Sequence, residues 1–206
     1  ASKKFIFSSK TLKKFVNKKD QMYISAKREK GKMVYRDKNN KRVNPSKLQG
    51  KKILLVIDIL DKNDLRDALT GMIRRNDVII GMGYISHGGR DTSTTGTFQY
   101  YGWGKKQEDN VIKDASAAKN VGKEIRSILE NECGASIHPN CVILFHVCYA
   151  AINNRREITQ AFLLGFAGKQ NTIKLYAPSG IVTLATIVAG NVSYNVAMSK
   201  KNDWVL

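Results

Sequence analysis

From Ile53 to Ile57 the chain runs five apolar residues without a break, Ile-Leu-Leu-Val-Ile. A strand with one wet face would alternate, so this run predicts a strand buried on both faces. The same texture returns at Val78-Ile79-Ile80, continued by Met82, Tyr84 and Ile85, then at Cys141–Phe145 and at Thr172–Ala177. Between these runs the apolar period changes from two to near 3.6. Leu65, Ala68, Leu69, Met72 and Ile73 predict a helix opened by Asp61 or Asn63 and closed near Arg74–Asn76. Ala118, Val121, Ile125, Ile128 and Leu129 predict a second helix from Ala115 to Cys133, with Gly134 as its C-cap. Arg155–Phe166 is a third. Strands alternating with helices, the strands apolar throughout, predict an α/β fold: a mostly parallel central sheet with helices on both faces.

The first fifty residues read differently. Phe5–Ser8 predicts a short strand and Thr11–Lys19 a helix with Leu12, Phe15 and Val16 on one face. Met22–Ala26 and Lys32–Tyr35 bracket Glu29-Lys30-Gly31, a hairpin with a glycine turn. Asp37–Pro45 and the Gly- and Thr-rich stretch Arg90–Gly104 are too polar for core elements. The chain is thus expected to form one domain over residues 1–206, with a basic N-terminal region (1–52) leading into an α/β core (53–206).

Composition narrows the class. The chain has 206 residues, 42% of them hydrophobic, with 16 Gly and 3 Pro, which excludes a disordered or collagen-like chain. No run of 18 apolar residues occurs, so no membrane span is expected, and the N-terminus lacks the apolar stretch of a signal peptide. Three cysteines, Cys133, Cys141 and Cys148, cannot all pair with one another. An odd count points to a reducing compartment, such as a host or bacterial cytosol, or to one thiol kept free for use. There is no Cys-x-x-Cys, and no metal site is expected.

Charge is concentrated at one end. The net charge is +18, and residues 1–60 hold 18 basic against 4 acidic side chains. Such a surface attracts polyanions, or is simply well solvated. Aromatic residues there are sparse, so a base-stacking platform for nucleic acid is not expected.

In parallel sheets chemistry gathers beyond the carboxyl ends of the strands. Ser86-His87-Gly88-Gly89 follows the second core strand, and His146-Val147-Cys148-Tyr149-Ala150-Ala151 ends the third. If these strands are neighbours, His87 and Cys148 face one cleft. A thiolate nucleophile needs an imidazole to lower its pKa, and the glycines leave room for a substrate. N–H groups of Gly88 and Cys148, the latter near a helix start, would form an oxyanion hole. The competing reading is ordinary: a free cysteine is usually a small core residue, and His87 would be a satisfied loop histidine. Cys133 and Cys141 are expected to be structural, as is His138. Asp58, near the end of the first core strand, either orients His87 or caps the following helix. His146, Arg90 and Asp91 are candidates for the substrate pocket: Arg90 or Arg155 would select an acidic side chain, Asp91 a basic one.

Tyr84-Ile85-Ser86-His87-Gly88-Gly89-Arg90-Asp91 and Val142-Ile143-Leu144-Phe145-His146-Val147-Cys148 resemble the caspase-like cysteine peptidases of clan CD. Among these, the chain is similar to the autoprocessing cysteine protease domains of large bacterial toxins, which inositol hexakisphosphate activates. The early basic hairpin region, running on to Pro45-Ser46-Lys47-Leu48, and Asn202-Asp203-Trp204-Val205 match more weakly. The resemblance implies a caspase-like fold and a thiol protease with a His87–Cys148 dyad. It implies a protein or peptide substrate that includes its own precursor, and no cofactor for the chemistry itself. It also implies an inositol hexakisphosphate activator, for which Lys13, Lys14, Lys18, Lys19, Arg28, Arg155, Arg156, Lys200 and Lys201 are the candidate anion-binding residues. Val147 stands where the toxin domains usually carry glycine, and only Lys200 and Lys201 stand where those domains gather basic residues.

Two other functions fit the same residues. One is a non-catalytic basic domain that binds nucleic acid or another polyanion, with the Cys–His pair incidental. The other is a cysteine-dependent acyltransferase or deamidase, which product analysis separates from a peptidase.

Overall fold

Why the apolar runs become strands is visible in their neighbours in the computed structural model, which describes residues 3–5, 21–57, 62–85, 98–99, 111–112, 114–146, 154–177, 182–189 and 192–199. A seven-stranded sheet has the order β3-β2-β4-β1-β5-β8-β9, built from β1 (Lys3–Phe5), β2 (Gln21–Glu29), β3 (Lys32–Asp37), β4 (Lys52–Ile57), β5 (Val78–Ile85), β8 (Ser136–His146) and β9 (Lys174–Tyr176). β2 and β3 are antiparallel, and the other neighbours in this sheet are parallel. The fold is therefore mixed α/β with a mostly parallel sheet. Two small antiparallel pairs stand apart: β6 (Phe98–Gln99) with β7 (Val111–Ile112), and β10 (Val182–Ala189) with β11 (Val192–Ser199).

Three helices connect the parallel strands: α1 (Lys62–Met72), α2 (Ala115–Ser127) and α3 (Asn154–Ala167). From β4 to β5, β5 to β8 and β8 to β9 the chain always steps the same way across the sheet. Right-handed crossovers in one direction place their helices on one face. The core shows this. Ile24 and Ala26 of β2, Ile53 and Leu55 of β4, Ile79 and Met82 of β5, and Ile143 and Phe145 of β8 share a single cluster with Leu69, Ile125 and Phe162 of the three helices. Among the described residues, then, helices cover one face and not both. The other face is also partly closed, since Leu54 is buried. The N-terminal helix expected at Thr11–Lys19 lies outside the described residues.

Local rules explain the elements. The hairpin loop is two residues, Lys30 (φ 47°) and Gly31 (φ 80°), with Glu29 opposite Lys32. Two positive φ values in a two-residue loop give the primed turn that matches strand twist. Asp114 caps α2 by accepting from the N–H of Ala117 at 2.8 Å. The last turn of that helix widens to π geometry over Ile128–Glu132 before Gly134 (φ 68°) ends it. Asn63 lies inside α1 and does not cap it; Asp61 is outside the described residues.

Helices α2 and α3 meet backbone to backbone. A methyl group at Gly122 would sit 2.3 Å from the carbonyl oxygen of Phe162, and one at Gly165 would sit 2.1 Å from that of Lys119. Phe162 then reaches the sheet, its ring 4.8 Å from that of Phe145. Arg126 of α2 closes the C-terminus of α3 by donating to the carbonyls of Phe166 and Ala167.

Candidate active site

The register of β5 on β8 sets the candidate site. At the amino end Val78 pairs with Ser136 and Ile79 with Ile137; at the carboxyl end Gly81 pairs with Val142 and the ladder runs in step to Ile85 opposite His146. Between the two blocks one residue of β5, Ile80, faces four of β8, residues 138–141. Continued without that bulge, the first register would set Ile85 opposite Ile143, three residues short of His146. The extra residues bulge outward at His138-Pro139-Asn140, all exposed. The N–H of Asn140 donates to Nδ1 of His138 at 3.1 Å, and Thr172 donates to the carbonyl of Pro139. His87 and Cys148 each follow the last registered pair by two positions. Both lie outside the described residues, as do Asp58, Gly88, Arg90 and Asp91. The described part of α3 opens at Asn154, six residues past Cys148, and residues 147–153 lie outside the described residues.

The other two thiols are described, and both are core residues. Cys133 and Cys141 are buried and form no disulfide, and burial pushes the Cys141 thiol up to about 12. Cys141 therefore stays a thiol near neutral pH, and Cys133 is buried as well. Their structural role, expected from the sequence, matches their burial.

The candidate anion-binding residues do not assemble among the described ones. Lys13, Lys14, Lys18, Lys19, Lys200 and Lys201 are outside them, as is the Arg155 side chain; Arg156 is exposed on α3. Arg28 is already engaged, donating to Asp67 at 2.5 Å and to buried Asp64 at 2.6 Å, which raises its own pKa through those hydrogen bonds. It fastens the hairpin to α1 and is not open to a phosphate. On the same hairpin, Arg36 holds Glu29 in a fork of two 2.9 Å bonds and keeps that carboxyl below its usual range, with Arg42 adding at 3.5 Å. The described residues do not form a cradle for an inositol phosphate. Exposed cations remain at Lys30, Lys32, Lys38 and Lys41.

A cavity of about 210 Å³ lies at the other end of the sheet, before β4 and β5, lined by Pro45, Leu48, Met72, Arg74 and Asp77 among others. Its charged groups serve the backbone. Arg74 donates to the carbonyls of Thr70, Gly71 and Ile73, and Asp77 accepts from the N–H of Arg74 at 2.8 Å. It is a helix C-terminus, remote from the strand ends where chemistry is expected. Among the described residues no three His, Cys, Asp or Glu side chains come together as a metal site, and no helix is long and apolar enough to cross a membrane.

The strands expected from apolar runs end at Ala177 and do not include the β10–β11 ribbon. The signal was present: Val192–Ser199 alternates apolar and small or polar residues, and the preceding Gly-Asn dipeptide is of a composition that favours turns.

Comparisons with protein-family models, curated proteins and solved structures find no match to this chain.

Proposed function

We propose that the chain is a cysteine endopeptidase of caspase-like fold whose dyad is His87 and Cys148. One observation carries this reading: β5 and β8 are parallel neighbours in register from Gly81 and Val142 to Ile85 and His146, and the imidazole and the thiol each stand two residues further on. Adjacent parallel strands lie about 4.8 Å apart, and the reading requires that the two residues following these strand ends serve one substrate carbonyl. The exclusion of Cys133 and Cys141 by burial adds to it, since Cys148 is then the thiol left to react.

In this mechanism the Cys148 thiolate attacks the scissile carbonyl and a covalent thioester forms as the C–N bond breaks. His87 gives a proton to the departing amine, then takes one from the water that hydrolyses the thioester. The N–H groups of Gly88 and Cys148 stabilise the oxyanion of both tetrahedral intermediates. The substrate is a polypeptide, with the chain's own precursor as one case. No activator enters these steps.

The rival reading, a non-catalytic polyanion-binding domain, draws on the exposed Lys30, Lys32, Lys38 and Lys41 of the hairpin region. One experiment separates them: incubation of the purified chain, and of a Cys148→Ala variant, with and without inositol hexakisphosphate, followed by mass spectrometry of the products. The peptidase reading expects fragments from the parent chain and none from the variant. Intact chain under both conditions, with salt-sensitive retention on a polyanion matrix that Cys148→Ala leaves unchanged, would establish the rival.

A further inference from the structure

Between Lys174 and Lys200 the sequence contains no charged residue, in a chain whose net charge is +18. That uncharged stretch holds the β10–β11 ribbon, eight registered pairs from Val182 opposite Ser199 to Ala189 opposite Val192. Among the described strands, β10 and β11 pair only with each other. A two-stranded ribbon is marginal in water by itself, and each of its outer edges carries a row of backbone donors and acceptors. The two edges are not equivalent. β11 lies against β8, and among the described strands none pairs with the other edge of β10. Five of its eight residues are β-branched (Val182, Thr183, Thr186, Ile187 and Val188), and it contains no Gly, Pro or charge. Natural edge strands normally carry a lysine, a proline or a bulge that prevents pairing. The β3 edge of the main sheet has that protection, because β3 opens with Lys32 and contains Arg36. β10 has none of it.

We propose that β10 is a self-association edge, through which two copies of this chain join their ribbons into a four-stranded antiparallel sheet across a twofold axis. The occupant follows from charge and symmetry. Two bodies of +18 repel wherever their basic surfaces meet, and an uncharged ribbon is where they can approach without facing like charges. Antiparallel pairing of a strand with its own copy is the isologous contact that a twofold axis requires. With the axis beside Thr186 in the middle of β10, Thr186 of one copy stands directly opposite Thr186 of the other. The proposal does not depend on the peptidase reading.

The test is the oligomeric state of the full chain by sedimentation equilibrium across micromolar to millimolar concentrations, at low and high salt. The parent chain is expected to dimerise, and more tightly at high salt as repulsion is screened. Thr186→Lys and Thr186→Glu each bring two like charges together at the axis, and each should weaken the dimer about 100-fold. A dimer held by bridging counterions would instead respond oppositely to the two substitutions, which overturns the proposal. So does a parent chain that stays monomeric at every concentration and salt. Thr186→Cys covers the case in which the charged variants do not fold: oxidation should give a disulfide between two copies at that residue, identified by peptide mass spectrometry, and its absence also overturns the proposal.

Discussion

Ile85 and His146 stand opposite each other at the carboxyl ends of β5 and β8, and they are level because β8 takes up three more residues than β5 beneath them. This offset also decides which way the core residues face. Beyond the bulge Ile143 and Phe145 point into the helix-covered core, where both are fully buried. Deleting Asn140 would shift the rest of β8 by one position and turn that pair to the other face, since strand side chains alternate. The deletion is expected to give no cooperatively folded protein by circular dichroism and thermal melting. Asn140→Ala keeps the residue count and removes only an exposed side chain, so its cost should stay within about 0.5 kcal/mol.

The contact between α2 and α3 leaves no space for a side chain. Gly122→Ala places a methyl group against the Phe162 carbonyl, and Gly165→Ala places one against that of Lys119. Backbone cannot move aside as a flexible side chain can. Each substitution should cost about 2–3 kcal/mol in urea unfolding. Leu164→Ala, on the same helix but exposed, should cost well under half of that.

Much of this arrangement was legible in the sequence. The unbroken run Ile53–Ile57 announced a buried strand, and the spacing of Leu65, Leu69 and Met72 announced the helix that packs on it. The turn at Lys30-Gly31 followed from its glycine. What the pattern could not supply was long-range: that Lys3–Phe5 inserts between β4 and β5 in the middle of the sheet, and that the three described helices share one face. Strand order depends on which crossover passes over which neighbour, and apolar periodicity does not carry that information. The bulge at His138–Asn140 was hidden for a related reason, because the apolar run starts only at Cys141 and nothing in Pro139 and its polar neighbours marks them as part of the strand. The candidate dyad was legible as two residues at two strand ends, and the register of β5 on β8 is the part only coordinates could add.

Tyr35 should make stability depend on alkaline pH. Its hydroxyl is buried against α1, donating to the carbonyl of Ala68 at 2.9 Å, and burial pushes its pKa from 10.0 to about 12. Below the ordinary value both states are neutral and the contribution is complete. As pH rises past it the unfolded chain loses the proton first, so stability falls until the folded pKa is reached. Urea midpoints measured from about pH 9 to about pH 11.5 should decline less steeply for Tyr35→Phe than for the parent. At neutral pH the same substitution should cost about 1 kcal/mol for the lost hydrogen bond.

Arg28 joins the hairpin to α1 through Asp64 and Asp67. Arg28→Ala leaves a buried carboxylate facing an empty position, and the thermal midpoint should fall. Arg28→Lys should recover only part of the loss, because one ammonium cannot span both carboxylates as the guanidinium does. A double-mutant cycle with Asp64→Asn should show positive coupling.

Thiol reactivity tests the assignment most directly. The folded chain is treated with an electrophilic peptide probe at neutral pH, and the modified residue is located by peptide mass spectrometry. The account predicts modification at Cys148, none at buried Cys133 or Cys141, and a rate at least ~100-fold lower in His87→Ala, the contribution expected of a catalytic imidazole. Modification of Cys148 at the same rate with and without His87, or none at all, would contradict it.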